Sequence, residues 1–425
     1  MTLSPKKIIL ISLDTLRADH LGCYGYYRNT SPIIDELARD NILFNYAFTT
    51  CSFTLPAHAS LFTSKYSKNH SIGFNNGLGK LNPDKDITLA EILQSHDYKT
   101  AAFVSALVMR KETNLNIGFQ HYDDEMTESE LNRKEELIRD GFETTARTIH
   151  WINEHTSENF FVFVHYFDIH GPYIPPEQFK YLFVDDEYYG NKFELNNIVD
   201  EFNLKHGIPD YQILNPNYDD TGKILTFEKD LRYYISQYDA GIRYCDYLLG
   251  ILLENLKTRG IYEDCLIIIT ADHGESLGEN DIYYYHGLTV TPDQIAVPFI
   301  IKPPNNFIDG LKLPIVIDIP VSIIDIMPTI LCLCKIDYSD LLLEGNSLLE
   351  IIQRNNKTPL NIRLLLSENE YQAGIIPPNC ILETYEKNSP PSHYYPCIKE
   401  TISQLNGKKF FLKHERILRL QKISN

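Results

Sequence analysis

The chain has 425 residues, of which 43% are hydrophobic and 23% charged, a composition typical of a globular protein with one large domain and a smaller one. Its formal net charge of −18 argues against nucleic acid as a partner, because duplex binding requires lysine and arginine to displace counterions. The first apolar run is too short for a signal peptide, and no segment reaches the roughly 20 apolar residues of a membrane helix. A cytoplasmic protein without a transmembrane segment is therefore expected.

Short apolar runs alternate with helical patterns over the first two-thirds of the chain. Ser31-Pro32 predicts the start of a helix, and residues 129–155 and 227–258 carry long helical patterns. Five runs predict buried strands of the parallel type: residues 7–13, 99–105, 160–165, 265–270 and 297–302. This alternation predicts an α/β fold, with a large, mostly parallel central sheet that is covered by helices on both faces.

Two regions depart from this pattern. Residues 175–225 are rich in Tyr, Asn, Asp and Pro without periodicity, which predicts an insertion that is either a lid over the substrate or a surface loop without a role. After about residue 336 the pattern weakens, and LLLSEN and GKKFFLKHERILRL are the clearest strands there. We therefore predict a catalytic domain over residues 1–340 and a small C-terminal α+β subdomain over residues 341–425.

Acidic residues and histidines follow three of the predicted strands. Asp14 follows the first strand, His170 comes shortly after the third, and Asp272 and His273 follow the fourth. A single Asp after a strand is usually a turn residue or a helix cap. Because parallel strands end at the same edge of a sheet, their coincidence indicates a metal site there.

Thr54 lies two residues before Pro56, at or just before a predicted helix start. Unpaired N–H groups at that end of a helix favour a bound anion and a deprotonated hydroxyl. An isolated Thr-x-Pro is usually only a helix cap, but a neighbouring metal would make the hydroxyl a nucleophile. The predicted metal site therefore consists of Asp14, Thr54, Asp272 and His273.

Several stretches carry a family resemblance, which extends over nearly the whole chain: DTLRADHLGCYG, TLPAHASLFTSKYSKNHSIG, HYFDIHGPYIPP, YDAGIRYCDYLLGILLENLKTRGIYEDCLIIITADHGE and VSIIDIMPTILCL. Through them the chain resembles the sulfatase branch of the alkaline phosphatase superfamily. The resemblance implies an alkaline phosphatase/sulfatase-like fold, a divalent metal and an anionic phosphate or sulfate ester as substrate. It does not select the reaction, because the branch contains sulfatases, phosphodiesterases, phosphonate hydrolases and phosphoryl-group transferases.

The chain departs from a sulfatase at the nucleophile. Type I sulfatases carry Cys-x-Pro-x-Arg, whose cysteine becomes formylglycine, whereas here Thr54 stands at the cysteine position and His58 at the arginine position. Thr15 stands where sulfatases usually have a second Asp, and His273 where their calcium site often has Asn. An imidazole in place of a hard oxygen ligand favours Zn²⁺ or Mn²⁺ over Ca²⁺.

The stretch DHGESLGENDIYYYHG resembles instead the lipid A phosphoethanolamine transferases, which use a metal-bound threonine. By this match, His170 in Ile-His-Gly-Pro and His286 in Tyr-His-Gly correspond to histidines that flank the transferred phosphoryl group or a second metal. One metal ion is expected, and a second would lie near these two histidines, with Asp168 as a further candidate ligand.

Three hypotheses follow for the function. The first is a hydrolase or transferase of phosphate mono- or diesters that forms a phosphothreonine at Thr54, with His170 and His286 as further catalytic residues. His58 would orient Thr54, contact the substrate or pack behind the site. The second hypothesis is a sulfatase that works without formylglycine, and the third is a catalytically silent binding protein, against which the converging residues argue. The sequence does not reveal the natural substrate, the choice between hydrolysis and transfer, or the oligomeric state.

Overall fold

The computed structural model describes residues 5–73, 79–184, 194–199, 207–221, 224–305, 311–354, 365–368 and 373–376. Eight strands form its central sheet: β1 (Lys7–Leu13), β2 (Ile42–Phe44), β3 (Lys99–Phe103), β4 (His121–Asp123), β5 (Phe160–Tyr166), β6 (Cys265–Thr270), β7 (Phe299–Lys302) and β8 (Ile315–Ile317). The α-helices of the described residues are α1 (Pro32–Asp40), α2 (Thr54–Thr63), α3 (Leu89–Ser95), α4 (Gly141–Glu154), α5 (Glu177–Lys180), α6 (Leu231–Thr258), α7 (Pro292–Ile295), α8 (Ile326–Leu333) and α9 (Leu349–Arg354).

The sheet has the strand order β8-β2-β7-β6-β1-β5-β3-β4. Within it, every strand except β7 runs in the same direction, so the prediction of a mostly parallel sheet is confirmed. The prediction that residues 297–302 form a parallel strand is wrong. A parallel return requires a crossover that carries the chain to the opposite edge. Between β6 and β7 the only α-helix is the four-residue α7, so β7 starts at the edge where β6 ends.

Central strands are buried on both faces. Every residue of β1, β5 and β6 is buried, as expected for strands that read as continuous apolar runs. Two groups of helices provide the cover: α1, α4 and α6 pack together, and α2, α3 and α8 pack together. All ten residues of α2 are buried, so the helix that begins at Thr54 is part of the core.

The region predicted as one helix over residues 129–155 is a hairpin followed by a helix. Glu128–Ser129 pairs antiparallel with Leu137–Ile138, and α4 begins only at Gly141, where the Asp140 side chain accepts a hydrogen bond from the Phe142 N–H. Residues 130–136 include good helix formers but no apolar stripe to bury, so propensity alone does not decide their structure. The prediction for residues 227–258 is close to α6, which ends just before Gly260 as expected.

Short strands complete the described structure. A three-stranded sheet is formed by Ala47–Phe48, Ala296–Val297 and Val321–Ser322. Four further pairs of short strands among the described residues are Ile198–Val199 with Ile208–Pro209, Asn217–Tyr218 with Ile224–Thr226, Ser276–Leu277 with Tyr283–Tyr285, and Leu365–Glu368 with Ala373–Ile376. The last pair confirms the strand predicted in LLLSEN. The strand predicted in GKKFFLKHERILRL lies outside the described residues, and the 341–425 subdomain stays a prediction. Among the described helices, none combines the length and apolar character needed to cross a bilayer.

Candidate active site

Three acidic or imidazole side chains meet at the carboxyl ends of the neighbouring strands β1 and β6. Asp14 follows β1, and Asp272 and His273 follow β6, so that one ligand atom from each lies within 4.8 Å of the others. All three side chains are buried. Asp14 Oδ1 and Asp272 Oδ2 have no hydrogen-bond partner among the described residues, and a buried carboxylate oxygen without a partner is costly unless it binds a cation. This donor set fits a divalent metal ion.

The orientation of His273 also suits a metal ligand. Its Nδ1 lies 2.9 Å from the Gly274 carbonyl oxygen, which can only accept, so Nδ1 carries the proton and Nε2 is left with a free lone pair. Gly274 is required at this turn, because a Cβ atom there would lie 2.1 Å from the Asp293 carbonyl oxygen.

The Thr54 hydroxyl reaches this cluster from the first residue of α2. Its Oγ1 lies 3.4 Å from Asp14 Oδ2 and 3.2 Å from His273 Nε2. Phe53, not Thr54, is the N-cap residue of the helix, so the threonine side chain is free to face the cluster. Thr54 is 5% exposed and lines a cleft of about 210 Å³. The structure therefore brings together all four residues of the predicted metal site.

Thr15 does not replace the second Asp of a sulfatase as a ligand. Its Oγ1 donates to the Asp14 carbonyl oxygen, 2.7 Å away, and its backbone N–H donates to Asp272 Oδ1 at 3.2 Å. The residue adopts a φ of 58°, which is unfavourable for a β-branched side chain. The Tyr238 hydroxyl donates to the Thr15 carbonyl oxygen at 2.8 Å and so helps to hold this conformation.

Two further histidines support the cluster from behind. His58 Nδ1 donates to the Thr54 carbonyl oxygen at 2.8 Å, and its Nε2 lies 3.0 Å from Ser12 Oγ. Burial lowers the pKa of His58 to about 3, so the ring is neutral, and the fully buried side chain does not line the cleft. Of the roles considered for His58, this arrangement favours orientation of Thr54 over substrate contact. His165 Nε2 donates to Asp14 Oδ2 at 3.1 Å, which leaves Asp14 Oδ1 for the metal.

His170 and His286 line the cleft beside Thr54. Their ring centroids are 5.2 Å apart, and the His286 ring is 4.3 Å from that of His273. His170 Nδ1 donates to the Gly171 carbonyl oxygen at 2.6 Å, so its Nε2 is a free acceptor when the ring is neutral. Burial, with the neighbouring His286 and Arg133 charges, lowers the pKa of His170.

Asp168 does not join these histidines. Its Oδ1 accepts a hydrogen bond from the Gly141 N–H at 2.9 Å, at the start of α4. Within the described residues, Asp14, Asp272 and His273 form the one group of three or more acidic, histidine or cysteine side chains close enough to share a metal. The suggestion that Asp168 completes a second metal site is therefore not supported by the geometry.

Glu275 is a site residue to which the sequence interpretation gave no role. Its Oε1 lies 3.1 Å from His286 Nδ1, and its Oε2 accepts a hydrogen bond from the Tyr173 hydroxyl at 3.1 Å. Burial raises the pKa of Glu275 to about 8. Glu275 is part of the DHGE stretch, but nothing in the sequence indicated that its partner would be a histidine eleven residues later. The pairing follows from the hairpin Ser276–Leu277 with Tyr283–Tyr285, which lies between the two.

We expect Glu275→Ala to lower kcat by about 10- to 100-fold, by analogy with the cost of removing the hydrogen-bond partner of a metal-ligating histidine. Steady-state kinetics of Glu275→Ala, His286→Ala and the double variant would measure the effect. If Glu275 acts by orienting His286, the double variant loses no more activity than His286→Ala alone. Losses that multiply would show instead that Glu275 acts independently of His286.

Comparison with known proteins identifies the family. The sulfatase family model matches residues 6–336, well over half of the chain. The chain belongs to the sulfatase family. It is 25% identical over 448 residues to an ulvan-active sulfatase of Formosa agariphila, which covers 98% of this chain and 80% of that protein.

Two other proteins that this chain resembles are named for reactions at phosphorus. The chain is 24% identical over 311 residues to phosphoethanolamine transferase EptA of Helicobacter pylori, covering 69% of this chain and 47% of the transferase. Its fold is similar to that of a phosphonate monoester hydrolase from Silicibacter pomeroyi, with a TM-score of 0.61, 20% identity and coverage of 88% of this chain and 81% of the other. This sulfatase-family protein is therefore a sulfatase-like hydrolase or transferase.

Proposed function

We propose that this protein is a metal-dependent hydrolase or transferase of phosphate esters, with Thr54 as its nucleophile and a phosphothreonine as its covalent intermediate. The observation that carries the proposal is the position of the Thr54 hydroxyl, 3.4 Å from Asp14 Oδ2 and 3.2 Å from His273 Nε2. Asp14, Asp272 and His273 would hold the metal, and the imidazole among them favours Zn²⁺ or Mn²⁺ over Ca²⁺. A metal bound there would lower the pKa of the threonine hydroxyl and attract a substrate oxygen.

The cleft residues supply the remaining chemistry. The Thr54 hydroxyl, whose proton a bound metal would help to release to solvent, attacks phosphorus in line through Oγ. A new O–P bond forms, and the bond to the leaving oxygen breaks with its electron pair on that oxygen. His286 can carry a proton on Nε2 because its Nδ1 faces the Glu275 carboxyl, whose pKa is raised to about 8. As Nε2 gives that proton to the leaving oxygen, the Glu275 proton moves to Nδ1. The free Nε2 that remains then accepts a proton from water or from an acceptor hydroxyl, which attacks the phosphothreonine and regenerates Thr54.

A sulfatase that acts through unmodified Thr54 is the second candidate, and it is favoured by the family match and by the ulvan-active relative. Threonine has one hydroxyl on its reactive carbon, so a covalent ester on Thr54 must be cleaved by a second attack at phosphorus or sulfur. A formylglycine hydrate, with two hydroxyls on one carbon, offers another route. The absence of Cys at position 54 removes that route and makes phosphoryl transfer the better candidate.

A trapping experiment separates the two candidates. Metal-loaded protein is exposed to an aryl phosphate mono- or diester, quenched in acid and digested, and the peptide that contains Thr54 is examined by mass spectrometry. We expect phosphothreonine at position 54, together with faster release of the phenol from the phosphate ester than from the matched aryl sulfate. Sulfated Thr54 and a preference for the aryl sulfate would favour the sulfatase instead.

A further inference from the structure

The mouth of the cleft is built by two segments that are far apart in sequence. The loop 130–136 joins the strands Glu128–Ser129 and Leu137–Ile138, and Tyr211 comes from the predicted 175–225 insertion. The Asn132 side-chain amide ties the two segments together, because it donates to the carbonyl oxygens of Tyr211 at 2.8 Å and Ile213 at 2.9 Å.

Arg133 stands at the tip of this loop and is held in place on two sides. Its Nη2 donates to Glu130 Oε1 at 3.0 Å, and its Nε donates to Glu130 Oε2. Its guanidinium carbon lies 4.3 Å from the centre of the Tyr211 ring, a cation–π contact. Glu130 is 3% exposed, so the anchor of the arginine is itself buried.

This anchoring leaves much of the guanidinium unused. An arginine has five N–H donors, and Glu130 takes one from Nε and one from Nη2. Neither N–H of Nη1 has a partner among the described residues. A rigid guanidinium with free donors in the active-site cleft is suited to bind a carboxylate, sulfate or phosphate oxygen.

Arg133 is more exposed to solvent than the residues of the reacting centre. Thr54 is 5% exposed, the His286 side chain 13% and the Arg133 side chain 31%, so the cleft runs from a buried floor at the nucleophile to a rim at the arginine. A leaving group that points outward from Thr54 lies in the same cleft as Arg133. Glu136 also lines the cleft, and its charge would weaken the attraction of the rim for an anion.

We propose that Arg133 is a specificity-determining residue that binds an anionic group, such as a carboxylate, on the leaving group of the substrate. The substrate then carries two anionic groups, the ester that reacts at Thr54 and a carboxylate, sulfate or phosphate at the rim. This inference rests on the proposed function for the position of the reacting group, and it holds for a phosphate and for a sulfate ester alike.

Binding of non-reactive probes tests the proposal independently of turnover. Isothermal titration calorimetry on the metal-loaded protein compares phenylphosphonates that carry a carboxylate with phenylphosphonates that carry a carboxamide at the same position, meta or para. A third series of probes carries a sulfonate and distinguishes planar from tetrahedral anions. We expect the best carboxylate or sulfonate to bind about 10-fold more tightly than its carboxamide, the low end of the range for a hydrogen bond to a charged group. Arg133→Gln should remove this preference.

Two variants serve as controls. Arg147 has a similarly exposed side chain, at 28%, pairs with Asp123 and does not line the cleft, so Arg147→Gln should keep the preference. Glu136→Gln should keep or increase it. Thr54→Ala should also keep it, which separates a failure of the nucleophile assignment from a failure of this proposal.

Three results would overturn the proposal. The first is equal binding, or no binding, of the charged and uncharged probes to the unaltered protein. The second is a preference for the charged probe that survives in Arg133→Gln. The third is an equal loss of affinity for both probes in Arg133→Gln, because the arginine would then bind the phosphonate group itself.

Discussion

Thr54→Ala is expected to lower kcat for phosphate esters by about 10³-fold or more, because removal of a covalent nucleophile leaves only binding and electrostatic stabilisation by the remaining site. The fold should survive the change. The hydroxyl makes only long contacts, at 3.4 Å to Asp14 and 3.2 Å to His273, and its loss leaves the α2 backbone and the His58 bond to the Thr54 carbonyl intact. Steady-state kinetics on metal-loaded protein, with a thermal melt to check folding, measures the effect.

Thr54→Ser is the matched control for this prediction. Serine keeps the hydroxyl and loses only the methyl group, so we expect it to retain much more activity than alanine and to form phosphoserine in the trapping experiment. Unchanged activity in Thr54→Ala would contradict the assignment and point to direct attack by water.

Asp272→Asn is expected to abolish metal binding and lower activity by about 10³-fold or more, yet to leave the metal-free protein at least as stable as before. The substitution is nearly isosteric. Asn can keep the Oδ1 that accepts hydrogen bonds from the backbone N–H groups of Thr15 and His273, and it replaces only Oδ2, the oxygen without a partner among the described residues. Without a metal, the buried carboxylates of Asp14 and Asp272 repel each other and are poorly solvated, so removal of one charge relieves that cost.

Calorimetry and thermal melts with and without Zn²⁺ or Mn²⁺ test this pair of opposite effects. Metal at 100 times its Kd should stabilise the unaltered protein by about 2.7 kcal/mol and Asp272→Asn by nothing measurable. Asp168→Asn is a matched control, because Asp168 is also a carboxylate with one buried oxygen that lacks a described partner. It should bind metal normally. A metal-free Asp272→Asn protein that is much less stable than the parent would contradict the prediction.

Much of the fold was accessible from local pattern. Residues 7–13 and 265–270 form strands with the predicted bounds, because strands buried on both faces are uniformly apolar and end where polar residues begin. The same logic located Asp14, Asp272 and His273, since side chains that follow parallel strands meet at one edge. Local pattern failed for β7 and for residues 128–138. The direction of β7 depends on where the chain re-enters the sheet, and the hairpin is tied through Asn132 to Tyr211, far along the chain.

The sequence by itself determined the family, the α/β class, and the identity of the four residues around the candidate metal site, because each is specified by residue type and by position after a strand or at a helix start. Only the tertiary structure decided how these residues are supported. The bond from His165 to Asp14, the pairing of Glu275 with His286, and the cation–π contact of Arg133 with Tyr211 all join residues on different elements of the chain. Such contacts depend on distances in space, which spacing along the chain does not specify.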